Sequence, residues 1–456
     1  MVHVCSECGT SHPKWAGKCS GCGDWNTLVE DVELAGALDA PVAASNRPGP
    51  TRIGEVGTEH GDPVTTTIAE LDRVLGGGLV AGSVTLLGGE PGIGKSTLLL
   101  QLLAAWSGPT LYVTAEESAQ QVKRRAERLG ATRDDLWLHA ETSLPHILDA
   151  IDRIRPELVV IDSIQTVSDP GLGSLPGSVG QVRGCAHRLV NEAKERDVSI
   201  VLVGHVTKEG GLAGPRVLEH VVDTVLQFEG DRHHALRLLR ASKHRFGPTN
   251  ELGLFEMAST GLIGVPDASS LFLADRRTGV PGSAVVPTME GQRPIVVEVQ
   301  ALATPSVPGV PPRRSALGLE GARLSMLMAV LGRRSRVPVS DQDVYASTAG
   351  GAKLSEPGLD LGVCLAVVSA IRDQPIPADL AVFGEVGLGG ELRQVGQAQR
   401  RYTEAARLGL RRVVVPSNSP ECDADINVIR ASTLSEAIAA AGLGAHNAPG
   451  GLRAAG

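Results

Sequence analysis

The residue pattern with the clearest chemistry is a glycine-rich segment that begins at Gly89. The sequence there reads GGEPGIGKST and matches G-x-x-x-x-G-K-[ST] at every fixed position from Gly89 to Ser96. Apolar runs at residues 84–87 and 97–106 flank it, which predicts a strand, a turn and a helix. Glycines let backbone N–H groups curl around phosphate oxygens at the N-terminus of such a helix. The segment therefore predicts a nucleoside triphosphate site.

ATP and Mg²⁺ are the ligands that this pattern predicts. Lys95 is expected to reach the β- and γ-phosphates and Ser96 to bind Mg²⁺. A second metal-side carboxylate is needed at the end of a neighbouring buried strand, and the run LVVID supplies Asp162. The predicted nucleotide-binding residues are Gly89, Glu90, Pro91, Gly92, Ile93, Gly94, Lys95, Ser96, Thr97 and His205.

Hydrolysis also needs a group that orients and deprotonates a water molecule. Glu116 and Glu117 follow the run TLYVT, where a carboxylate could face the γ-phosphate, and we favour Glu116 as a catalytic residue beside Lys95 and Asp162. Glu117 stays open, as does an acidic pair that only begins a helix. His205 ends the run SIVLVG and is a candidate γ-phosphate sensor, although a lone histidine is more often structural.

Four of the seven cysteines form two C-x-x-C pairs near the N-terminus. Cys5 and Cys8 make the first pair, and Cys19 and Cys22 follow after ten residues. Four thiolates in this spacing predict a closed tetrahedral zinc site with a structural role. Iron–sulfur or redox chemistry is the alternative. The pattern does not decide whether the module binds DNA or a protein.

The order of apolar runs and amphipathic stretches predicts an α/β protein with several domains. Runs and helical stretches alternate between residues 63 and 265, which favours βαβ units and a mostly parallel sheet. Helical patterns are expected at residues 119–131, 144–155, 178–197, 321–335, 359–373, 397–409 and 433–441. The predicted domains are a zinc finger at 1–30, a linker at 31–62, an ATPase core at 63–265, a second α/β domain at 270–442 and a flexible tail at 443–456.

Composition limits the remaining classes of function. The net charge of −8 argues against a uniformly basic protein that coats DNA, so a DNA site is expected to be a local patch such as the inside of a ring. Aromatic residues make up 3% of the chain, too few for an extended base-stacking platform. No apolar run is long enough to cross a bilayer, and we expect a cytosolic protein without membrane contact.

Taken together, these features resemble the RadA (Sms) family of bacterial DNA-repair proteins. The resemblance rests on the four-cysteine module and, in order, GGEPGIGKST, YVTAEES, VVIDSIQT, GHVTKEG and KHRFG. It implies a RecA-like ATPase core followed by a Lon-protease-like domain. It also implies DNA-dependent ATP hydrolysis by a homo-oligomeric, hexameric ring on single-stranded and branched DNA. The implied role is branch migration of recombination intermediates beside a RecA-type recombinase.

The family's motif near residue 243 is K-N-R-F-G, and histidine replaces asparagine here. The motif comprises Lys243, His244, Arg245, Phe246 and Gly247. The resemblance implies that Lys243 and Arg245 act catalytically across a subunit interface or on DNA. A cation at a neighbour's γ-phosphate would stabilise developing charge. Taken alone, the segment is typical of an exposed basic strand end.

Two further regions are expected from the resemblance. The loop at residues 169–180 falls where related ATPases contact DNA, with Arg183 just beyond it. In the Lon-like region, Gly358 stands where the nucleophilic serine is expected and Gln399 replaces the lysine, while Ser355 and Lys353 miss the required positions. We therefore expect no proteolysis. The domain is instead expected to be a scaffold with arginines that could bind DNA. A DNA-binding role and an ordinary surface role are about equally favoured for Arg313, Arg314, Arg333, Arg334 and Arg336.

Two functional hypotheses share all of these motifs. One is a motor that uses ATP to move on DNA. The other is an ATP-gated platform that retains DNA and recruits a recombinase without translocation. A third, an ATP-dependent protease, conflicts with Gly358 and Gln399.

Overall fold

The structure is a computed structural model that describes residues 2–5, 10–31, 52–55, 61–206, 212–213, 217–230, 236–348 and 356–444. The chain divides into two compact units, Met1–Pro266 and Asp267–Gly456. Most of the predicted linker and tail lies outside the described residues.

The N-terminal module is a small antiparallel sheet around the cysteine pairs. Its strands are β1 Val2–Cys5, β2 Ser11–His12 and β3 Leu28–Asp31, in the order β2-β1-β3. Among the side chains that the structure describes, its buried apolar cluster comprises Cys5, Cys19 and Leu28, with Ala16 packed against it. So few apolar groups supply little hydrophobic free energy, and a metal is the usual means of holding so small a module together.

The rest of the first unit is a ten-stranded sheet with helices on both faces. Its strands, with the short β4–β5 pair, are β4 Pro63–Val64, β5 Leu79–Val80, β6 Val84–Gly89, β7 Thr110–Thr114, β8 Leu136–Ala140, β9 Leu158–Asp162, β10 Ser199–Val206, β11 Leu212–Ala213, β12 Thr224–Glu229, β13 Leu236–His244, β14 Leu252–Ala258 and β15 Gly261–Gly264. The helices are α1 Ala69–Val74, α2 Lys95–Ala105, α3 Ala119–Arg128, α4 Leu144–Ile154, α5 Val179–Arg196 and α6 Val217–Val221.

Six neighbouring strands of this sheet, β12-β6-β10-β9-β7-β8, run parallel, and β13, β14 and β15 extend it antiparallel. Side chains of β6 alternate between two buried clusters: Leu87 packs with α1, α2 and α3, and Leu86 packs with α4, α5 and α6. This doubly wound arrangement brings the carboxyl ends of the parallel strands to one edge, where loops can build a ligand site. The predicted α/β class and mostly parallel sheet are confirmed.

The second unit contains a mixed seven-stranded sheet in the order β18-β19-β17-β16-β20-β23-β24 and a small β21–β22 pair. The strands are β16 Ser283–Glu290, β17 Arg293–Pro305, β18 Arg314–Leu317, β19 Gln342–Thr348, β20 Leu380–Val382, β21 Glu385–Val386, β22 Leu392–Arg393, β23 Arg412–Pro416 and β24 Asn427–Ala431. The helices are α7 Ala268–Leu273, α8 Gly321–Arg334, α9 Asp360–Arg372, α10 Ala398–Arg407 and α11 Leu434–Ala440. Helix α9 is buried from Asp360 to Ser369, so it lies in the core of this unit.

Candidate ATPase site and associated motifs

The candidate phosphate loop connects β6 to α2. Gly92 and Gly94 have φ angles of 79° and 118°, in the left-handed region that favours glycine. A Cβ atom on Gly94 would lie 2.8 Å from Cε of Met257. The curvature of the loop therefore depends on residues without side chains, as its sequence pattern predicts.

Lys95 is the first residue of α2 and is 5% exposed. Its Nζ donates hydrogen bonds to the carbonyl oxygens of Gly89, at 2.7 Å, and Glu90, at 3.0 Å. Burial lowers the pKa of Lys95, and the nearby charges of Asp162 and Glu116 oppose that shift. The ammonium group is thus held inside the loop, close to two carboxylates, where it could contact a bound phosphate.

Asp162 is the last residue of β9, and one of its carboxylate oxygens accepts hydrogen bonds from two hydroxyl groups. Ser96 Oγ donates to Asp162 Oδ2 at 2.6 Å, and the Tyr112 hydroxyl donates to the same oxygen at 2.7 Å. A serine hydroxyl beside a carboxylate offers the oxygen ligands that Mg²⁺ prefers. Burial and the charge of Asp162 raise the pKa of Tyr112 well above its usual range. Tyr112 is absent from the predicted site residues, because a tyrosine in an apolar strand carries no local sign of this contact.

The two glutamates after β7 have different partners. The Ser163 hydroxyl donates to Glu116 Oε1, next to Asp162. Arg125 Nη2 donates to Glu117 Oε1 at 2.7 Å. The structure therefore places Glu116 beside the end of β9 and pairs Glu117 with a cation of α3.

His205 lies near the end of β10, where its backbone pairs in register with Gly89. This register puts the residue beside the start of the phosphate loop. The side chain of His205 and residues 207–211 are outside the described part of the chain.

The K-H-R-F-G motif lies at the end of β13, near the amino ends of the parallel strands. The phosphate loop follows the carboxyl end of β6, at the opposite end of these strands. Thr224 of β12 pairs with His244 on one side and with Thr85 of β6 on the other. Thr85 precedes Gly89 by four residues, which is about 13 Å along an extended strand. The motif is therefore not brought to the phosphate loop of its own chain.

The two cations of this motif have different surroundings. Lys243 Nζ donates to the carbonyl oxygens of Glu219, at 2.6 Å, and Val222, at 2.7 Å. Burial, followed by the charge of Arg245, lowers the pKa of Lys243. Arg245 Nη1 donates to Asp223 Oδ1 at 2.8 Å, and half of the Arg245 side chain stays exposed. Lys243 thus binds backbone at the end of α6, whereas Arg245 keeps an accessible face.

His244 makes polar contacts with both ring nitrogens. Its Nδ1 lies 2.9 Å from Thr224 Oγ1, and its Nε2 lies 3.1 Å from the carbonyl oxygen of Leu75. A Cβ on Gly247 would approach the His244 ring to 2.9 Å. Phe246 is 48% exposed and meets the imidazole edge-on, with ring centroids 6.1 Å apart. Histidine at this position therefore anchors the strand end.

Three of the four predicted metal-binding cysteines lie together in the N-terminal module. One possible ligand atom of each of Cys5, Cys19 and Cys22 lies within 4.8 Å of the others, and Cys5 Sγ is 3.6 Å from Cys22 Sγ. Zinc–sulfur bonds of about 2.3 Å in a tetrahedron separate sulfurs by about 3.8 Å. The backbone N–H of Gly21 also donates to Cys19 Sγ. These residues fit a zinc ion, while Cys8 is outside the described residues.

The segment predicted to contact DNA is held by one glutamine at its end. Gln181 Nε2 lies within hydrogen-bonding distance of the carbonyl oxygens of Asp169, Leu172 and Ser174. Asp169 also pairs with Arg188. Arg183 is exposed on the first turns of α5. The loop therefore has a defined path with a cation just beyond it.

An ion pair surrounds Gly358 in the second unit. Arg401 donates to both carboxylate oxygens of Glu356, each at 2.9 Å, and is 1% exposed. A Cβ on Gly358 would lie 2.5 Å from Glu356 Oε2 and 2.9 Å from Arg401 Nη1. Gln399 is bonded to Asp423 at the surface. Ser355 and Lys353 lie outside the described residues.

The arginines expected to bind DNA in this unit are not equivalent. Arg314 donates to the carbonyl oxygens of Val339 and Gln342, and burial lowers its pKa. The guanidinium group of Arg314 therefore binds backbone carbonyls of its own domain. The exposed members of the set are Arg313, Arg333, Arg334 and Arg336.

No helix in the described ranges combines the length and apolar character needed to cross a bilayer.

Three family models match successive parts of the chain. Residues 3–30 match a rubredoxin metal binding domain, residues 51–211 an AAA domain, and residues 340–437 a Lon protease (S16) C-terminal proteolytic domain. Together with the phosphate loop, these matches define a multidomain P-loop ATPase with a zinc-ribbon N-terminus and a Lon-type C-terminal domain.

Relatives similar over almost the full length then specify the family. The chain is 46% identical to the DNA repair protein RadA of Listeria monocytogenes, over 95% of this chain and 96% of the relative. It is 48% identical to that of Bacillus subtilis, over 91% and 92%, and 47% identical to that of Halalkalibacterium halodurans, over 95% and 97%. The chain belongs to the RadA family of DNA-repair proteins, and the expected resemblance is confirmed.

Proposed function

We propose that the chain is a DNA-dependent ATPase of recombinational repair that forms a hexameric ring on single-stranded DNA. In this proposal, ATP hydrolysis drives branch migration of recombination intermediates beside a RecA-type recombinase. The observation that carries it is the placement of a phosphate loop and a K-H-R-F-G motif at opposite ends of the parallel strands of one sheet. Two halves of an ATPase site that cannot meet within one chain can meet between neighbouring copies.

Within one subunit, the residues at the carboxyl edge of the sheet would bind ATP and Mg²⁺. Lys95 would contact the β- and γ-phosphates, and Ser96 and Asp162 would hold the metal, which supplies charge neutralisation at the phosphates. Glu116 would orient and deprotonate water, because its carboxylate lies beside Asp162 while Glu117 pairs with Arg125. The position of His205 next to Gly89 supports a role in sensing the γ-phosphate.

The neighbouring subunit would complete this site with Arg245 of its K-H-R-F-G motif. Arg245 has an exposed face and a planar guanidinium suited to phosphate oxygens. Lys243 would act chiefly by fixing the end of α6, since both of its bonds are to backbone carbonyls. Hydrolysis would then require assembly.

The two flanking domains would support the core without catalysis of their own. Cys5, Cys8, Cys19 and Cys22 would hold a structural zinc ion, consistent with the clustering of the three described sulfurs. The Lon-type domain would serve as a scaffold that binds DNA through its exposed arginines. It would not be proteolytic, because Gly358 has no nucleophilic side chain.

The test measures ATP hydrolysis and branch migration on the same preparations. Wild type is expected to hydrolyse ATP faster with single-stranded DNA, and Lys95→Ala and Arg245→Ala to lose that stimulation. A three-strand branch-migration assay should show ATP-driven movement that both substitutions abolish. If DNA retention and recombinase recruitment persist with a non-hydrolysable analogue, and ATP moves no branch, the platform hypothesis replaces the motor.

A further inference from the structure

The N-terminal module carries a pair of exposed tryptophans that the functions above do not use. Trp15 is 58% exposed and Trp25 is 70% exposed, whereas Trp106 in the ATPase core is 5% exposed. The chain has four tryptophans in all, and two of them lie in this small module. Exposing large apolar rings is unfavourable in water, and clustered exposed rings commonly mark an interaction site.

Gly17 lies between the two indoles. A Cβ placed on Gly17 would lie 3.5 Å from a ring carbon of Trp25 and 4.0 Å from one of Trp15. The backbone N–H of Asn26 donates to the Gly17 carbonyl at 2.8 Å, and Lys18 forms a β-bridge with Trp25. Trp25 therefore lies on a hairpin that also carries Cys19 and Cys22, and Trp15 precedes this hairpin by two residues with its ring close to Gly17.

The exposed charged side chains of residues 13–26 are two lysines and Asp24, so the segment carries a small net positive charge. Lys14 and Lys18 are exposed, and Lys18 Nζ lies 5.8 Å from the Trp25 ring centroid. The apolar neighbours from residue 13 to residue 26, apart from the two rings, are Pro13 and Ala16, together with the metal-site cysteines. The core of a protein-binding patch is normally more apolar than the surface as a whole, and residues 13–26 supply no further large apolar side chain beside the two rings. Flat rings beside lysines instead match the bases and phosphates of a single strand.

We propose that Trp15 and Trp25, with Lys14 and Lys18, bind single-stranded nucleic acid by stacking on its bases. Two rings make a short platform, which agrees with the scarcity of aromatic residues in the chain as a whole. The contact needs no ATP and would add to the DNA contacts of the ring. Stacking uses the flat faces of the bases, which are not accessible inside a duplex. The module would therefore prefer single strands.

The test measures binding of a fluorescein-labelled oligothymidylate to the full-length protein by anisotropy, without nucleotide. Trp15→Ala and Trp25→Ala are each expected to weaken binding at least about fivefold, since a stacked ring contributes substantially to affinity. Trp15→Phe and Trp25→Phe should lose less, because they keep a ring. Trp137→Ala is the matched control, as Trp137 is 52% exposed but belongs to the ATPase core. Zinc content, measured by colorimetric release, confirms that each variant keeps its metal.

An abasic strand of the same length separates stacking from charge. The alanine variants and wild type should bind that strand equally, because it has no bases to stack. Equal loss on both strands, or unchanged binding of oligothymidylate by zinc-loaded alanine variants, would overturn the proposal. Loss of recombinase binding with normal DNA binding would also overturn it and identify a protein-docking surface. If wild type itself fails to bind the strand without nucleotide, this proposal fails, whereas failure to bind also with a non-hydrolysable ATP analogue would overturn the proposed DNA motor.

Discussion

At the scale of single residues, one carboxylate oxygen connects the metal-side groups of the candidate ATPase site. Asp162 Oδ2 accepts hydrogen bonds from both Ser96 and Tyr112. Tyr112 is 1% exposed, and its raised pKa keeps the phenol protonated as a donor. Groups that hold a metal ligand in place commonly affect metal affinity nearly as much as the ligands themselves. We therefore assign Tyr112 a positioning role.

Replacing Tyr112 with phenylalanine tests this role. Tyr112→Phe removes one hydroxyl from the Asp162 carboxylate and is expected to raise the Mg²⁺ concentration for half-maximal ATP hydrolysis by about tenfold. The rate at saturating Mg²⁺ should fall much less. Tyr402→Phe is the control, because Tyr402 is also buried but donates to the Pro420 carbonyl in the other unit. An unchanged Mg²⁺ dependence in Tyr112→Phe would contradict the assignment.

His244 is expected to make stability depend on pH. Burial lowers the pKa of His244 below its ordinary value of 6.5. The folded state therefore binds fewer protons than the unfolded state as pH falls below about 6.5, and stability declines in that range. His244→Asn restores the residue of the family motif and does not titrate. Its melting temperature should therefore fall less than that of wild type between pH 7 and pH 5. An equal fall in the melting temperature of the two proteins over this pH range would be evidence against this contribution.

At the scale of helices and strands, local patterns predicted most of the ATPase core. The observed α3, α4 and α5 lie inside the predicted helical stretches, because amphipathic periodicity reports burial on one face. The antiparallel strands β14 and β15 were not expected, although Ala258 pairs with Gly261 across a tight local hairpin. The Glu356–Arg401 ion pair was missed because its two residues lie 45 positions apart in the sequence. Tertiary contacts of this kind leave no periodic mark in a sequence.

That ion pair predicts the effect of restoring a serine in the Lon-type domain. Gly358→Ser would push an atom into the Glu356–Arg401 pair and is expected to lower stability by about 1–3 kcal/mol. We expect no peptidase activity, since the restored hydroxyl would face an ion pair instead of a lysine. Thermal melting and hydrolysis of a fluorogenic peptide measure both effects. Gly396→Ser is the control, because a Cβ on Gly396 meets nothing within 4 Å. Hydrolysis by Gly358→Ser would reject the prediction.

The N-terminal module should depend on its metal while the ATPase core does not. Its described apolar cluster is small, so removal of zinc is expected to unfold it. A strong chelator should increase protease cleavage within residues 1–31 and leave nucleotide binding by the core intact. Cys19→Ser should reproduce this pattern without chelator. Unchanged cleavage after verified metal loss would show that the module folds without the ion.

At the scale of the whole molecule, the proposed composite site can be tested by mixing defective subunits. Lys95→Ala lacks the phosphate-binding lysine, and Arg245→Ala lacks the cation donated to the neighbour. Each should be inactive alone. In a random equal mixture, about a quarter of the interfaces would combine an intact loop with an intact arginine. ATPase activity should therefore recover to about a quarter of wild type, and no recovery would contradict a site shared between subunits.

The phosphate loop and the K-H-R-F-G motif lie at opposite ends of the parallel strands, so each subunit has two different contact surfaces. Contacts that join the motif of one copy to the loop of the next are head-to-tail, so every copy in the assembly points the same way around it. An open row of n copies contains n − 1 complete sites, whereas a closed ring contains n. Turnover per subunit would therefore rise with row length and reach its maximum at closure, which makes catalytic rate a direct measure of whether the assembly has closed.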